Sequence, residues 1–272
     1  MRLALSVLTL LSTLPLMACL APVNPDPDED GLTTEFELSI GTDPEQEDTD
    51  ADGFSDAVEV LTYFSPRNAD DHPYEGEYTR GPLMGSDEWD SYTEDAGWDE
   101  NDISKGWKVT DQHGEEIKLK RFFGNVILID MGAEWCGPCR QATETLDEEY
   151  QDRKEDGFIV IQLLTDGLSM GDRNPDGERW IDDFDITYPV IEDGEFHAAK
   201  RYVPAGSFGI PNYTVIDRNH EIHTWYQAGG QPPLEVIDDL LDEDPPSVEY
   251  SLPENAEELY EALSIDPNSW IY

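Results

Sequence analysis

Two cysteines separated by two residues are the clearest candidates for chemistry in this chain. Cys136 and Cys139 follow a predicted strand over 126–131 and begin a predicted helix over 138–156. Unpaired amides and the positive end of a helix dipole favour a thiolate there, and can lower a cysteine pKa from about 8.5 to roughly 3.5–7.5. The sequence therefore predicts Cys136 as the attacking nucleophile and Cys139 as the thiol that resolves a mixed disulfide.

A pair of this spacing can also be half of a zinc site. Tetrahedral zinc needs four ligands, and the third cysteine of the chain is the distant Cys19. His220 and His223 would have to complete the site from a predicted hairpin far along the chain. Redox chemistry is therefore favoured over zinc binding.

Two acidic loops, 22 residues apart, form the second candidate site. Each matches the pattern D-x-D-x-D-G-x5-E, in which alternate carboxylates wrap one Ca²⁺ ion, glycine makes a sharp turn and the distal glutamate closes the shell. The predicted ligands are Asp26, Asp28, Asp30 and Glu37 in the first loop and Asp48, Asp50, Asp52 and Glu59 in the second, with Asp56 acting through water. The alternative is an acidic, disordered tether that binds no metal.

The charge of the whole chain limits its partners. The 62 acidic residues and 16 basic residues give a formal net charge of −46. Such a chain repels phosphate, which argues against nucleic acid or an anionic membrane surface as a partner. The same excess fits divalent cations, or a surface adapted to salty water.

The first residues indicate export. The apolar run 3–17 is shorter than a membrane span of about 20 residues, as expected for a signal sequence. It ends in Leu-Met-Ala-Cys at 16–19, which resembles the lipobox of bacterial lipoproteins. That resemblance implies a lipid anchor on Cys19; the alternative is secretion with cleavage after Ala18 or Ala21. Either reading places the protein outside the cytoplasm, and the lipid anchor would hold it in the cell envelope.

Strands and helices alternate from about residue 103 onward, which predicts an α/β domain. Besides the segments around the cysteines, we predict a strand at 158–165, helices at 176–184, 196–202 and 234–241, and hairpins from 107–110 with 117–119 and from 213–217 with 222–227. The predicted organisation is a signal over 1–18, a tether over 19–25, calcium repeats over 26–62, a linker over 63–102, the α/β domain over 103–243 and an acidic tail over 244–272 with one possible helix at 253–263.

Residues 129–139, I-D-M-G-A-E-W-C-G-P-C, resemble the active-site segment of thioredoxins, including Trp135 before the first cysteine. The resemblance implies a thioredoxin fold, a central mixed sheet flanked by helices. It also implies that Asp130 is buried and accepts the proton of Cys139, whereas the alternative is a solvated aspartate at the end of a strand. Gln162 stands near the place where thioredoxins often have a lysine, so proton handling is expected to differ.

Ile210-Pro211 resembles the cis-proline segment of the same family, in which the proline faces the cysteines and binds the backbone of the partner protein. The long interval from Cys136 to Pro211 resembles the exported TlpA/ResA type of redoxin, over about 103–242. That type implies exchange with protein disulfides or dithiols, a membrane thiol carrier as electron donor and no organic cofactor. The acidic loops resemble thrombospondin type 3 calcium repeats.

Two other functions remain open. A peroxiredoxin shares the fold but commonly has a threonine three residues before its reactive cysteine, where this chain has Ala133. A calcium-braced surface lipoprotein could also use its redoxin domain only to bind partners. The intact cysteine pair and Asp130 favour a thiol-disulfide oxidoreductase.

Overall fold

The computed structural model describes residues 25–62, 64–69, 71–76, 78, 93–204 and 208–244. The predicted signal, Cys19 and the tail beyond residue 244 lie outside these ranges. Among the helices of the described residues, none is both long and apolar enough to cross a membrane.

A mixed five-stranded sheet forms the centre of the larger domain, in the order β5-β4-β3-β6-β7. Its strands are β3 (Val126–Gly132), β4 (Phe158–Leu164), β5 (Val190–Glu192), β6 (Asn212–Ile216) and β7 (Ile222–Ala228). Strand β4 runs parallel to β3 and β5, whereas β6 is antiparallel to β3 and β7. Every residue of β3, β4 and β6 is buried, so continuous apolar runs form these strands.

Three helices belong to this sheet: α3 (Gly137–Arg153), α4 (Gly177–Phe184) and α5 (Leu234–Leu241). The chain leaves α3 through a short 3-10 turn and stops at Gly157, whose φ of 88° is left-handed. Side chains of α3 and α5 join those of the sheet in one hydrophobic core. Together these elements form the thioredoxin-like fold that the resemblance implied.

The remaining predictions for this domain are partly right. The hairpin of β1 (Lys108–Thr110) and β2 (Glu116–Lys118) is antiparallel, as expected. The predicted helix over 196–202 is wrong, because only a 3-10 turn forms at Ala199–Arg201. Phe196 has a left-handed φ of 58°, which breaks the helix, and the Asp193 carboxylate accepts hydrogen bonds from the amides of residues 197–199 instead.

Where the structure describes it, the predicted linker over 63–102 packs against the domain. Phe64, Tyr74 and Tyr78 lie in the main hydrophobic core. The Tyr78 hydroxyl also accepts a hydrogen bond from the Gln112 side-chain amide at 2.7 Å. The backbone over 101–104 forms hydrogen bonds with β7 and its preceding turn. These parts of the linker therefore share one core with the domain predicted over 103–243.

The acidic segment folds as two similar units. Each loop is followed by a seven-residue helix, α1 (Thr34–Ile40) or α2 (Asp56–Thr62). Within the described residues the segment buries few apolar side chains, namely Leu32, Ile40, Ala57 and Val60. Each repeat therefore consists of one loop and one short helix, because 22 residues leave no room for a full helix-loop-helix unit.

Candidate functional site

Cys136 and Cys139 form a disulfide whose Cα atoms are 5.3 Å apart. Cys136 is the N-cap residue of α3, and its sulfur accepts a hydrogen bond from the Cys139 amide at 3.2 Å. Both residues are only 2% exposed. The sequence places the sulfur of Cys136 at the helix start because Gly137 and Pro138 occupy the first turn, where proline loses no hydrogen bond.

Among the described residues, the side chains that pack against the cysteine pair are those of Ala133, Trp135 and Ile210. The Trp135 indole N–H donates to the Asp166 carboxylate at 3.2 Å. The guanidinium of Arg173 donates to the other oxygen of Asp166 at 2.8 Å. These bonds fix the orientation of the Trp135 ring beside the disulfide.

Gly132 ends β3 directly beneath the start of α3. A Cβ atom at this position would lie 3.3 Å from the Cys139 Cβ, so glycine allows the strand and the helix to approach closely. Residues two apart on a strand face the same side, so Asp130 also points toward α3. The Asp130 carboxyl group therefore lies on the side of β3 that faces α3, two residues along the strand from the glycine next to Cys139.

Asp130 is buried, with 2% of its surface exposed, so the alternative of a solvated aspartate is wrong. Burial raises the pKa of its carboxyl group to about 7, and a hydrogen bond from the Gln162 amide at 2.8 Å opposes that rise. Gln162 lies directly opposite Asp130 in the β3–β4 register. The carboxyl group can therefore gain or lose a proton near neutral pH, as a proton acceptor for a thiol must.

The Ile210–Pro211 peptide bond is cis. Ile210 packs against the cysteine cluster, and this contact brings the segment of Pro211 to the disulfide from the β6 side of the sheet. The cysteines, Trp135, Asp130 and Pro211 are therefore gathered at one end of β3 and β6, although 75 residues separate Cys136 from Pro211.

The two histidines of the zinc alternative are not part of this site. His220 is fully buried and packs against Phe123, with ring centroids 6.3 Å apart, while His223 is exposed on β7. Across the ranges that the structure describes, the clusters able to hold a metal ion are the two acidic triplets, and neither contains a cysteine or histidine.

Sequence reasoning missed Glu134, which anchors the active-site segment to α4. Its carboxylate accepts a hydrogen bond from the Asp176 amide at 2.6 Å and pairs with the Arg179 guanidinium, and its side chain is 1% exposed. The sequence did offer one signal for a buried role, since Glu134 stands between the apolar residues Ala133 and Trp135. Its partner lies 45 positions away and could not be identified from spacing.

The acidic loops have nearly identical backbones. The fourth loop residues, Glu29 and Ala51, have φ values of 65° and 64°, and the glycines Gly31 and Gly53 have φ values of 107° and 106°. In each loop the amide of this glycine donates to the first aspartate. Each triplet, Asp26, Asp28 and Asp30 or Asp48, Asp50 and Asp52, has carboxylate oxygens within 4.8 Å of one another. The repeat in sequence is therefore also a repeat in structure.

The glutamates that end the two patterns point inward. Glu37 is fully buried, and neither of its carboxylate oxygens has a hydrogen-bond partner in the described part of the chain. Burial, together with the charges of Asp28 and Asp30, raises the pKa of Glu37 to about 7. Glu59 is fully buried too, and burial raises its pKa to about 10. A buried carboxylate without a donor, such as that of Glu37, fits a cation as its partner.

Asp56 and Asp30 have different roles in the geometry. Both oxygens of Asp56 accept hydrogen bonds from Thr49, at 2.9 Å from its amide and 2.7 Å from its hydroxyl. Asp30 accepts from the Ala57 amide in the first turn of α2, at 3.0 Å, so the first loop contacts the helix of the second repeat. Asp56 therefore braces the second loop, and Asp30 joins the two repeats.

The sheet, its helices and the disulfide at the start of α3 form a domain of thioredoxin-like fold. It is called the redoxin domain below, after the family model that it matches. Residues 101–224 match the model of the AhpC/TSA family. The chain is 28% identical over 114 residues to the thiol-disulfide oxidoreductase ResA of Bacillus thuringiensis subsp. konkukian (strain 97-27), over 42% of this chain and 61% of that protein. The ResA of Geobacillus kaustophilus (strain HTA426) is 23% identical over the same coverage.

The chain thus spans about three fifths of the length of the curated relatives that it matches. Among solved structures, a putative thiol:disulfide interchange protein DsbE from Chlorobium tepidum is 24% identical, with a TM-score of 0.43, over 53% of this chain and 95% of that one.

Proposed function

We propose that this protein is a thiol-disulfide oxidoreductase that exchanges its Cys136–Cys139 pair with disulfides or dithiols of partner proteins. The observation that carries the proposal is a cysteine pair at the start of a helix with a buried, titratable carboxyl group beneath it. The names of the relatives, thiol-disulfide oxidoreductase ResA, support the same reaction.

In the reducing direction, the Cys136 thiolate attacks one sulfur of a partner disulfide and expels the other partner sulfur as a thiolate. Asp130 takes the proton of Cys139, whose thiolate then attacks the Cys136 sulfur of the mixed disulfide. The partner leaves as a dithiol and the Cys136–Cys139 disulfide forms, so two electrons pass to the partner. The oxidising direction is the reverse of these steps.

Trp135 and Pro211 are expected to orient the partner rather than to exchange electrons. Both belong to segments that contact the cysteine pair. Neither side chain carries a thiol, and proline has no backbone N–H that could donate to the reacting sulfur atoms. Ala133 carries no hydroxyl group that could orient a peroxide. Disulfide exchange therefore fits the site better than peroxide reduction.

The acidic loops are proposed to bind Ca²⁺, because both carboxylate oxygens of Glu37 and one of Asp28 are buried and have no donor in the described part of the chain. The first site would use Asp26, Asp28, Asp30 and Glu37, and the second Asp48, Asp50, Asp52 and Glu59. A bound cation would supply the positive charge that these carboxylates lack and would order the segment. Asp56 is proposed to brace the second loop through Thr49.

Export and a lipid anchor at Cys19 are proposed from the signal-like start of the sequence. The calcium repeats would then lie between the membrane and the redoxin domain. If the domain acts as a reductant there, it needs electrons from across the membrane, and a membrane thiol carrier is the chemical class that exchange with Cys136–Cys139 can use.

The test of the oxidoreductase proposal is a redox-buffer titration of the full chain carrying Cys19→Ser, in which Cys136 and Cys139 are the only cysteines. We expect a reversible two-electron transition. A potential near about −270 mV would indicate a reductant that needs a donor, and one near about −120 mV an oxidant. Absence of a reversible transition would overturn the proposal and favour a redoxin domain that only binds partners.

A matched pair of variants identifies the direction of attack. Cys139→Ser should accumulate mixed disulfides between Cys136 and partner proteins, because the resolving thiol is gone. Cys136→Ser should trap none. Equal trapping by both variants would contradict the assignment of Cys136 as nucleophile, and rapid consumption of hydrogen peroxide would favour the peroxidase alternative.

A further inference from the structure

A buried polar network surrounds Asp130 and reaches from the sheet to two helices. Gln162 on β4, Thr143 on α3 and Trp180 on α4 are each no more than 1% exposed. The Gln162 amide nitrogen lies 2.8 Å from the Asp130 carboxylate and 3.2 Å from the Thr143 hydroxyl. The indole nitrogen of Trp180 lies 2.7 Å from the Gln162 amide oxygen.

The chemistry of the indole fixes the orientation of the Gln162 amide. An indole N–H can only donate, so the group that faces Trp180 must be the oxygen of Gln162. The Nε2 group, with its two hydrogens, then points at Asp130 and Thr143. If the amide were rotated, its N–H₂ group would face the N–H of Trp180 and its oxygen would face the carboxylate, and both contacts would be repulsive.

Trp180 is itself held firmly in place. Its ring packs against Phe184 with centroids 4.7 Å apart, and the Arg140 guanidinium lies 5.3 Å from its ring centroid. Arg140 also pairs with Asp183 on α4 at 2.9 Å. Arg140 directly follows Cys139 in sequence, so the first turn of α3 and the indole of α4 are in contact.

We propose that Gln162 is a positioning residue for the redox reaction, whose amide, oriented by Trp180, presents a fixed hydrogen-bond donor to the Asp130 carboxylate. The inference rests on the proposed function, since it assigns Asp130 as the acceptor of the Cys139 proton. A donor to the carboxylate stabilises its ionised form. Gln162 thereby lowers the pH at which Asp130 can accept that proton, without adding a second charge to the core.

Other titratable groups around Asp130 are few in the described residues. Tyr188, just before β5, and Tyr213 on β6 have phenol pKa values that burial and the charge of Asp130 raise. The thiols of Cys136 and Cys139 approach from α3, while Arg140 and Asp183 lie beyond the Trp180 ring. Gln162 is the hydrogen-bond donor to the Asp130 side chain that the structure shows.

The test follows the titration of Asp130 in the oxidised full chain carrying Cys19→Ser, with Ca²⁺ present, by NMR of ¹³Cγ-labelled aspartate. The Asp130 signal is assigned by its loss in Asp130→Asn. Gln162→Leu should raise the titration midpoint by about one pH unit, the size expected when a charge-assisted hydrogen bond is lost. Trp180→Phe keeps the packed ring but removes the N–H, and should give a smaller rise.

Tyr213→Phe is the matched control, because it removes a buried hydroxyl beside Asp130 that donates to Gly230 instead of to the carboxylate. It should not raise the midpoint. In the reduced protein, the pH profile of mixed-disulfide resolution should shift with Gln162→Leu, and this shift should vanish in the Asp130→Asn background.

Wild-type midpoints in both Gln162→Leu and Trp180→Phe would overturn the inference and leave Gln162 as a space-filling residue. If Gln162→Leu does not fold, Trp180→Phe alone decides. The oxidised protein is titrated without turnover, so this result is separate from the redox titration. A chain without a reversible redox transition would fail the proposed function even if the Asp130 midpoint moved as expected.

Discussion

The redoxin domain and the acidic repeats both bury carboxyl groups, but they stabilise them differently. Asp130 is buried in the redoxin core and receives a hydrogen bond from Gln162. Glu37 lies among other carboxylates, and no donor reaches it within the described ranges. Burial raises the pKa of each group to about 7. A similar pKa thus leads to different proposals: Asp130 is proposed to exchange a proton, whereas Glu37 is proposed to bind a cation.

The two regions also differ in the size of the apolar side chains that they bury. The core of the redoxin domain holds large side chains such as Trp180, Tyr150 and Phe158. The repeats bury Leu32, Ile40, Ala57 and Val60, which is little apolar surface for a segment of this charge. Apolar burial can hold the first region together on its own, whereas we expect the second to be ordered only when a cation neutralises its carboxylates.

The largest expected effect separates the two regions by removing calcium. Chelation should unfold residues 25–62 and raise their amide hydrogen exchange about 100-fold, the linkage expected for an ion present at 100 times its Kd. The redoxin domain should keep its protection, because no predicted ligand lies within it. Hydrogen exchange read by mass spectrometry measures both at once, with Mg²⁺ as the control cation. Equal protection of residues 25–62 with and without calcium would contradict the calcium proposal.

The next prediction tests whether the described residues between 64 and 78 belong to the redoxin domain or to the acidic repeats. Tyr78→Ala should lower the free energy of unfolding of the redoxin domain by about 3–5 kcal/mol, because it empties a site in the main core. The measurement is denaturant unfolding in excess calcium. Leu168→Ala is the control, since Leu168 is 64% exposed and should cost at most about 0.5 kcal/mol. Equal losses of unfolding free energy in the two variants would show that this segment does not stabilise the redoxin domain.

A third prediction concerns the pH dependence that buried Asp130 imposes. Its folded pKa is about 7 against an ordinary value of 3.8, so the folded state holds a proton that the unfolded state loses. Its stabilising contribution is complete below pH 3.8 and is lost as pH rises through 7. Asp130→Asn should therefore be more stable than wild type at pH 8, by about 4 kcal/mol, and nearly equal to it at pH 4.

Thermal unfolding of the oxidised protein across this pH range, in excess calcium, measures the difference. Asparagine can still accept the hydrogen bond from Gln162, so the network is kept. Parallel stability curves for wild type and variant between pH 4 and pH 8 would show that Asp130 is not the group that titrates.

The smallest expected effect is the loss of a helix N-cap, which can be tested by the same kind of substitution in each region. The side chains of Thr33 and Asp176 cap α1 and α4 by accepting from the amides of Phe36 and Arg179. Each change to alanine should cost about 1 kcal/mol. Asp176→Ala should lower the melting temperature of the redoxin domain by about 2–4 °C.

Thr33→Ala should instead weaken calcium binding about fivefold, because folding and ion binding are coupled in the repeats. Calorimetric titration with Ca²⁺ measures this, and the redoxin melting temperature serves as the internal control. If Thr33→Ala lowered that melting temperature and left calcium affinity unchanged, the two regions would not be independent in the way proposed.

Most of the central sheet could be predicted because its signals are local. Apolar runs, the stop at Gly157 and the proline after Cys136 mark strands and helix ends within a few residues. Strand β5 was missed because it has three residues, too few to show a period. The helix predicted at 196–202 failed because Asp193, outside that window, supplies the hydrogen bonds of the turn.

The sequence by itself determined the cysteine pair at a helix start, the two matching acidic loops and the alternation of strands and helices. Each depends on residues only a few positions apart, whose spacing is preserved in any fold that forms the element. Tertiary structure alone decided that Tyr74 and Tyr78 complete the redoxin core, that Glu134 meets Arg179 and that Trp180 orients Gln162 toward Asp130. These contacts join distant segments, and side-chain packing selects them.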